Sequence, residues 1–142
     1  MSVDLAADAD RAWRVVADWA RQGEWIPATS VRTTRGTGEA VGDQVVARTA
    51  LGPFGFDDPM EIVRWEPPHL CEVRHLGRVV RGTGTFAVEA AGAGRSRFVW
   101  TEQLVVPGGR IGQVAFRLVR PVTTLLLRLA LRRLARAVAA GG

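Results

Sequence analysis

The 142-residue chain is 47% hydrophobic and 23% charged, ordinary globular values that exclude disordered, collagen-like and low-complexity classes and leave room for one compact domain, not two. All 19 basic residues are arginine, and Lys, Tyr and Asn are absent, a profile of GC-rich coding; the net charge of +5 is therefore weak evidence for a nucleic-acid partner. The single Cys71 excludes an internal disulfide, and with His69 and His75 it makes no zinc-site spacing.

The opening MSVDLAADAD lacks the basic, apolar, small-residue order of a secretory leader and carries acids at once. A cytoplasmic protein without metal or cofactor is expected. After the short alternating SVDL, the segment DADRAWRVVADWARQGEW repeats Ala12, Trp13, Val16, Trp19 and Ala20 at helical spacing. Asp8 is its natural N-cap, because a carboxylate there can accept from a free amide of the first turn. Gly23 is expected to break the helix, with Trp25 on a second short helix before Pro27.

From Val31 to Val106 the text changes to strands punctuated by turn residues: TSVRTTR, QVVARTA, DDPMEIVRW, LCEVRHL, VVRGTGTFAVEA and SRFVWTEQLVV. The connections are short, which implies an antiparallel meander. If Gly77 and Arg78 form a two-residue turn, His75 opposes Val80, Val73 opposes Gly82 and Cys71 opposes Gly84. Opposed residues share a face. Cys71, Val73, His75, Val80, Gly82, Gly84, Phe86 and Val88 then form the apolar face, and Glu72, Arg74, Arg81, Thr83, Thr85 and Glu89 the solvated one.

In SRFVWTEQLVV, Phe98, Trp100, Glu102, Leu104 and Val106 alternate onto one face, apolar but for one carboxylate. MEIVRW leaves two choices open, Met60 and Ile62 inward or Glu61, Val63 and Trp65 inward, with a bulge expected at Pro59. Past PGG the chain turns helical to its end. Pro121 should kink this helix or restart it. Leu127, Ala130, Leu131, Leu134 and Val138 make one stripe, with Arg128, Arg132 and Arg136 down another side.

One curved antiparallel sheet of about seven strands cannot leave its apolar face wet, and the final helix is the one segment long enough to cover it. An α+β fold follows, with the sheet wrapped around that helix and short helices after the first strand. Gly82 and Gly84 on the inner face would leave a cavity.

The stretches ADADRAWRVVADWARQGEW, RWEPPHL, RGTGTFAV and SRFVWTEQL and the Leu- and Arg-rich final helix resemble the START/Bet v 1-like superfamily, also called SRPBCC, in its polyketide cyclase/dehydrase and lipid transport branch. The similarity covers nearly the whole chain, residues 1–142, as one domain. It implies a helix-grip fold whose tunnel accepts lipids, polyketides or other apolar metabolites. No motif matches the catalytic positions of aromatase/cyclases.

Glu102 and His75 are the acid/base candidates, since an inward carboxylate must raise its pKa or find a cationic partner, and an imidazole titrates near neutrality. The alternatives are a bulge that turns Glu102 outward and a structural histidine at the rim. Trp25, Phe54 and Phe56 are expected at the cavity mouth, with Val73, Gly82, Gly84, Phe86, Trp100 and Leu118 as further ligand contacts. Core capping is the competing reading for the aromatics. The Gly-rich GTGE and RGTG precede no helix, so phosphate-cradle readings fail.

The partner implied is a small hydrophobic ligand rather than nucleic acid, because the helix arginines lack interleaved aromatics for base stacking. Leu125, Leu126 and Leu129 lie toward the arginine side. They leave open a weak membrane-surface contact or a homodimer, and hence an alternative reading as a peripheral interaction protein.

Overall fold

A computed structural model describes residues 1–78, 80–105 and 109–141, save the side chains of Leu51, Phe54, residues 109–116 and Val119. The chain runs β1 (Ser2–Leu5), α1 (Ala9–Val16), a 3-10 helix (Trp19–Glu24), β2 (Thr29–Arg35), β3 (Gln44–Leu51), β4 (Phe54–Glu66), β5 (Leu70–His75), β6 (Gly82–Ala90), β7 (Ser96–Leu104) and α2 (Gly109–Ala140). Strands β2 to β7 form the expected antiparallel meander. β1 pairs with β7, and the seven strands lie in the order β1-β7-β6-β5-β4-β3-β2 without closing into a barrel.

The Asp8 carboxylate caps α1 by accepting from the Arg11 amide at 2.8 Å. The helix stops sooner than its periodicity suggested, because Asp18 caps a new start by accepting from the Arg21 amide. Trp19 therefore belongs to the 3-10 helix rather than to α1, and Gly23 lies inside that helix instead of ending the first one. Gly23 is needed for close approach: a Cβ there would stand 2.6 Å from the Thr29 carbonyl oxygen.

The turn between β5 and β6 is longer than two residues, and the register differs by two from the expected one. His75 opposes Gly82, Val73 opposes Gly84 and Cys71 opposes Phe86. A slip of two keeps every side chain on its own face. The inward set survives the correction.

β4 begins before the aspartates, so Phe56 stands in a strand and not in a connecting loop. Pro59 pairs in register with Val46, and the bulge sits instead between Ile62 and Arg64. Both readings of MEIVRW are thus partly right. Met60 and Ile62 point inward, the bulge reverses the alternation, and Trp65 comes back inward to pack edge-on against Trp13. Glu61 faces outward, 2.7 Å from the Arg74 guanidinium.

α2 is one helix with Pro121 inside it. Ala130, Leu131, Leu134 and Val138 are buried, and this half packs on β1 and α1. Thr123, Leu126, Leu127 and Ala130 face the open end of the sheet across a gap. Leu134→Ala should lower stability by about 3 kcal/mol, because it empties a fully buried site, whereas Leu125→Ala on the exposed side should stay within about 0.5 kcal/mol. Denaturant unfolding that finds equal losses would show that α2 is not held by this stripe.

Candidate functional site

Three adjacent strands bring the candidate side chains to one place. His75 ends β5, Glu102 lies near the end of β7, and between them β6 offers Gly82 and Gly84 to the inner face. Neighbouring strands are about 4.8 Å apart, so side chains two strands away meet only if the middle one is bare. It is bare. The His75 Nε2 lies 3.1 Å from Glu102 Oε2, and a Cβ on Gly84 would sit 3.1 Å from both Glu102 oxygens.

The second ring nitrogen has its own carboxylate. His75 Nδ1 lies 2.8 Å from Oδ2 of Asp58, which points inward from β4 two residues before Met60. Trp100 Nε1 donates to the other oxygen of Glu102 at 2.6 Å. The result is a chain: Asp58, His75, Glu102, Trp100.

Burial exposes only 6% of the His75 side chain and disfavours its charged form, but hydrogen bonds to Asp58 and Glu102 and the charges of both carboxylates outweigh it. The imidazole pKa is raised to about 9. At neutral pH the ring is therefore an imidazolium whose two N–H groups donate to the two carboxylates. Asp58 Oδ1 is buried and has no hydrogen-bond partner among the described residues. Glu102 is the more accessible acid, with 28% of its side chain exposed.

The chain of groups borders a cavity of about 200 Å³, walled chiefly by apolar side chains such as Trp19, Ile26, Val31, Ala47, Met60 and Phe86. A vestibule of about 260 Å³ adjoins it on the α2 side, sharing Asp58, His75, Trp100 and Glu102 with it. The inner cavity alone is smaller than the usual small-molecule site of about 300–1,000 Å³, and the vestibule brings the space toward the lower end of that range. Cys71 borders the cavity too, but burial pushes its thiol up to about 12, which leaves it protonated and a poor nucleophile. Roomier grooves on the outside, around Arg11, Arg14 and Asp18 and around Trp65 and Glu39, bring no histidine against a carboxylate.

Of the residues singled out in the sequence, His75, Glu102, Val73, Gly84, Phe86 and Trp100 border the inner cavity. Gly82 is on the same face but not on the cavity wall. Its φ of +125° is open to glycine, and a Cβ would collide with the Gln103 carbonyl, so it serves the pairing with β7. Trp25 is not at the mouth: it is 1% exposed, packed among Phe86, Phe98 and Trp100 in the core. Leu118 is 74% exposed and faces away from the cavity, because the helix turns it opposite the buried stripe. Phe56 lies near the start of β4, exposed and outside the cavity wall; the side chain of Phe54 is outside the described residues.

Asp58 escaped the sequence reading. The face of β4 was open, and the bulge expected at Pro59 broke the count through DDPMEIVRW. Counting back by two from an inward Met60 would have found it.

A protein-family model described as "Polyketide cyclase / dehydrase and lipid transport" matches residues 1–139. This chain belongs to that family. Solved structures share its fold at low identity. The Zhui aromatase/cyclase from a Streptomyces species is 19% identical with a TM-score of 0.77, over 100% of this chain and 96% of that one. A START superfamily protein from Mycobacterium smegmatis is 12% identical with a TM-score of 0.72, over 99% and 95%. Norcoclaurine synthase from Thalictrum flavum, solved with dopamine and hydroxybenzaldehyde, is 19% identical with a TM-score of 0.69, over 100% and 86%. Among curated proteins none matches this chain in sequence.

The raised imidazole pKa has a definite sign. A group whose folded pKa lies above its unfolded value stabilises the fold fully below the unfolded value, near 6.5, and loses that contribution as pH rises through about 9. Stability should therefore fall between those values, and fall less in His75→Gln. A carbon-detected NMR titration of the His75 ring should show a midpoint well above 6.5; a midpoint at or below it would refute the double-carboxylate clamp.

Proposed function

We propose that this chain binds a small apolar metabolite in the cavity and vestibule between the sheet and α2, with the ligand's polar end against Glu102. The observation that carries the reading is the Asp58–His75–Glu102 chain at the border of an otherwise apolar space. Apolar walls supply affinity without direction, and a few converging polar groups fix orientation. The family description and the aromatase/cyclase likeness support a ligand of polyketide or lipid type.

The same geometry suits proton transfer of the cyclase/dehydrase kind. Glu102 is reachable from both spaces and can take a proton from a carbon beside a ligand carbonyl, leaving the electron pair in an enolate. The enolate then expels a β-hydroxyl, which takes the proton back from Glu102 and departs as water, leaving a carbon–carbon double bond. His75 steadies the carboxylate with its charge, and Asp58 holds the ring. The apolar walls keep bulk water from the enolate.

Two measurements test this. Native mass spectrometry of the purified protein, and uptake of the neutral probe N-phenyl-1-naphthylamine, should both show an occupied or fillable cavity, with Ala47→Phe abolishing uptake by filling the wall. A wild-type protein that takes up nothing and carries nothing would end the binding reading. For proton transfer, exchange of a bound β-ketothioester's acidic C–H with deuterated water should slow by about a hundredfold or more in Glu102→Gln. Equal rates in both proteins would leave a carrier.

A further inference from the structure

The long helix α2 buries one face and leaves the opposite one with an unusual composition. Leu118, Val122, Leu125 and Leu129 follow at steps of four, three and four, which at 3.6 residues per turn puts them in one narrow stripe. All four are exposed, Leu125 by 66%. The stripe lies opposite Leu131, Leu134 and Val138, so the turn that packs the helix also aims these apolar side chains at solvent. Arg117 and Arg128 border it along one side, and Arg132, Arg133 and Arg136 continue the same outer surface toward the C-terminal end, all exposed; Arg120, two residues past Leu118, lies around the helix from the stripe.

Residues 109–140 contain seven arginines and no Asp or Glu. Among the described residues, the ion pairs formed by arginine use Arg21, Arg48, Arg64, Arg74 and Arg97, and none involves α2. A surface helix that is merely solvated needs no leucine stripe, and one built for salt bridges to its own fold would have found its carboxylates.

We propose that this face of α2 docks on an anionic lipid bilayer, the helix lying flat with its leucines in the acyl boundary and its arginines at the headgroup phosphates. An apolar stripe bordered by unpaired cations matches such a surface in both hydropathy and charge. A second copy of the chain fits it worse, since stripe against stripe sets arginines against arginines with no acid on either helix. No described helix is long and apolar enough to cross a membrane, so the contact is peripheral. The placement has a consequence for the cavity: Thr123, Leu126, Leu127 and Ala130 of the same helix border the vestibule, so its opening stands about one helix width from the lipid surface. Docking itself does not depend on the cavity being used.

Co-sedimentation of the full chain with phosphatidylcholine vesicles, alone or with about one-third phosphatidylglycerol, tests the proposal. Sedimentation is expected only with the anionic vesicles, and is largely lost in about 1 M NaCl, where charges are screened beyond about 3 Å. Leu125→Glu should weaken it by about tenfold or more. Ser30→Glu, an equal change of charge at an exposed site on β2, should not. Both variants should keep the wild-type melting temperature. Absence of binding to anionic vesicles at low salt overturns the proposal, as does a Leu125→Glu protein that binds like wild type. A dimer in sedimentation velocity that Leu125→Glu dissociates, without vesicle binding, would give the face to a second copy instead.

Discussion

His75 cannot reach Glu102 unless the strand between them is bare. The two residues sit on β5 and β7, and the inner positions of β6 between them are Gly82 and Gly84. A Cβ at Gly84 would stand 3.1 Å from both carboxylate oxygens, close enough to push Glu102 from its present position, and a longer side chain would press harder. The glycines are thus less a donation of empty volume to the cavity than the condition for an ionic contact across it. That contact in turn accounts for the carboxylate that interrupts the apolar alternation of β7.

Two acids, one buried and one partly exposed, and one imidazole make an uneven balance. Unit charges about 4 Å apart attract by roughly 4 kcal/mol at an effective dielectric of 20, so the imidazolium gains from both carboxylates enough to offset its own desolvation. The raised pKa of His75 expresses that outcome. One negative charge remains over the group. It is held nearest the cavity by Glu102, which is more accessible than Asp58 and is steadied by the Trp100 indole N–H as well as by His75. A proton donor on a ligand is welcome there, and an anionic group is not.

Alternation made most of this legible in advance. A two-residue side-chain period placed Glu102, Trp100, His75, Val73 and Phe86 inward, and the register error between β5 and β6 did no harm because it was even. An odd error would have inverted the sheet. What stayed hidden depended on features that local sequence does not announce. Nothing in MEIVRW marks the bulge after Ile62, so the face of β4 and with it Asp58 could not be assigned. Trp25 was misplaced because a large aromatic in a connecting segment reads the same at a rim as in a core; tertiary packing against Phe86, Phe98 and Trp100 decided it. Leu118 failed for another reason. The turn of a helix about its axis is set by whichever stripe finds a partner, and in α2 the stripe that found one lies opposite.

The electrostatics of the molecule are consequently layered. The chain holds no acidic residue after Glu102, so the outside of the C-terminal helix is cationic among the described residues, while the inner face it partly covers ends in a net negative group. An amphiphile with an anionic head and an apolar tail therefore meets opposite preferences at the two places: attraction at the arginines of α2, repulsion at Glu102. Its tail can enter the apolar cavity only if the head stays outside or if the end that goes in is neutral and able to donate a hydrogen bond. Under the proposed reading such a layout would select by polarity along a ligand's length, through one carboxylate placed where an uninterrupted apolar strand would have been easier to bury.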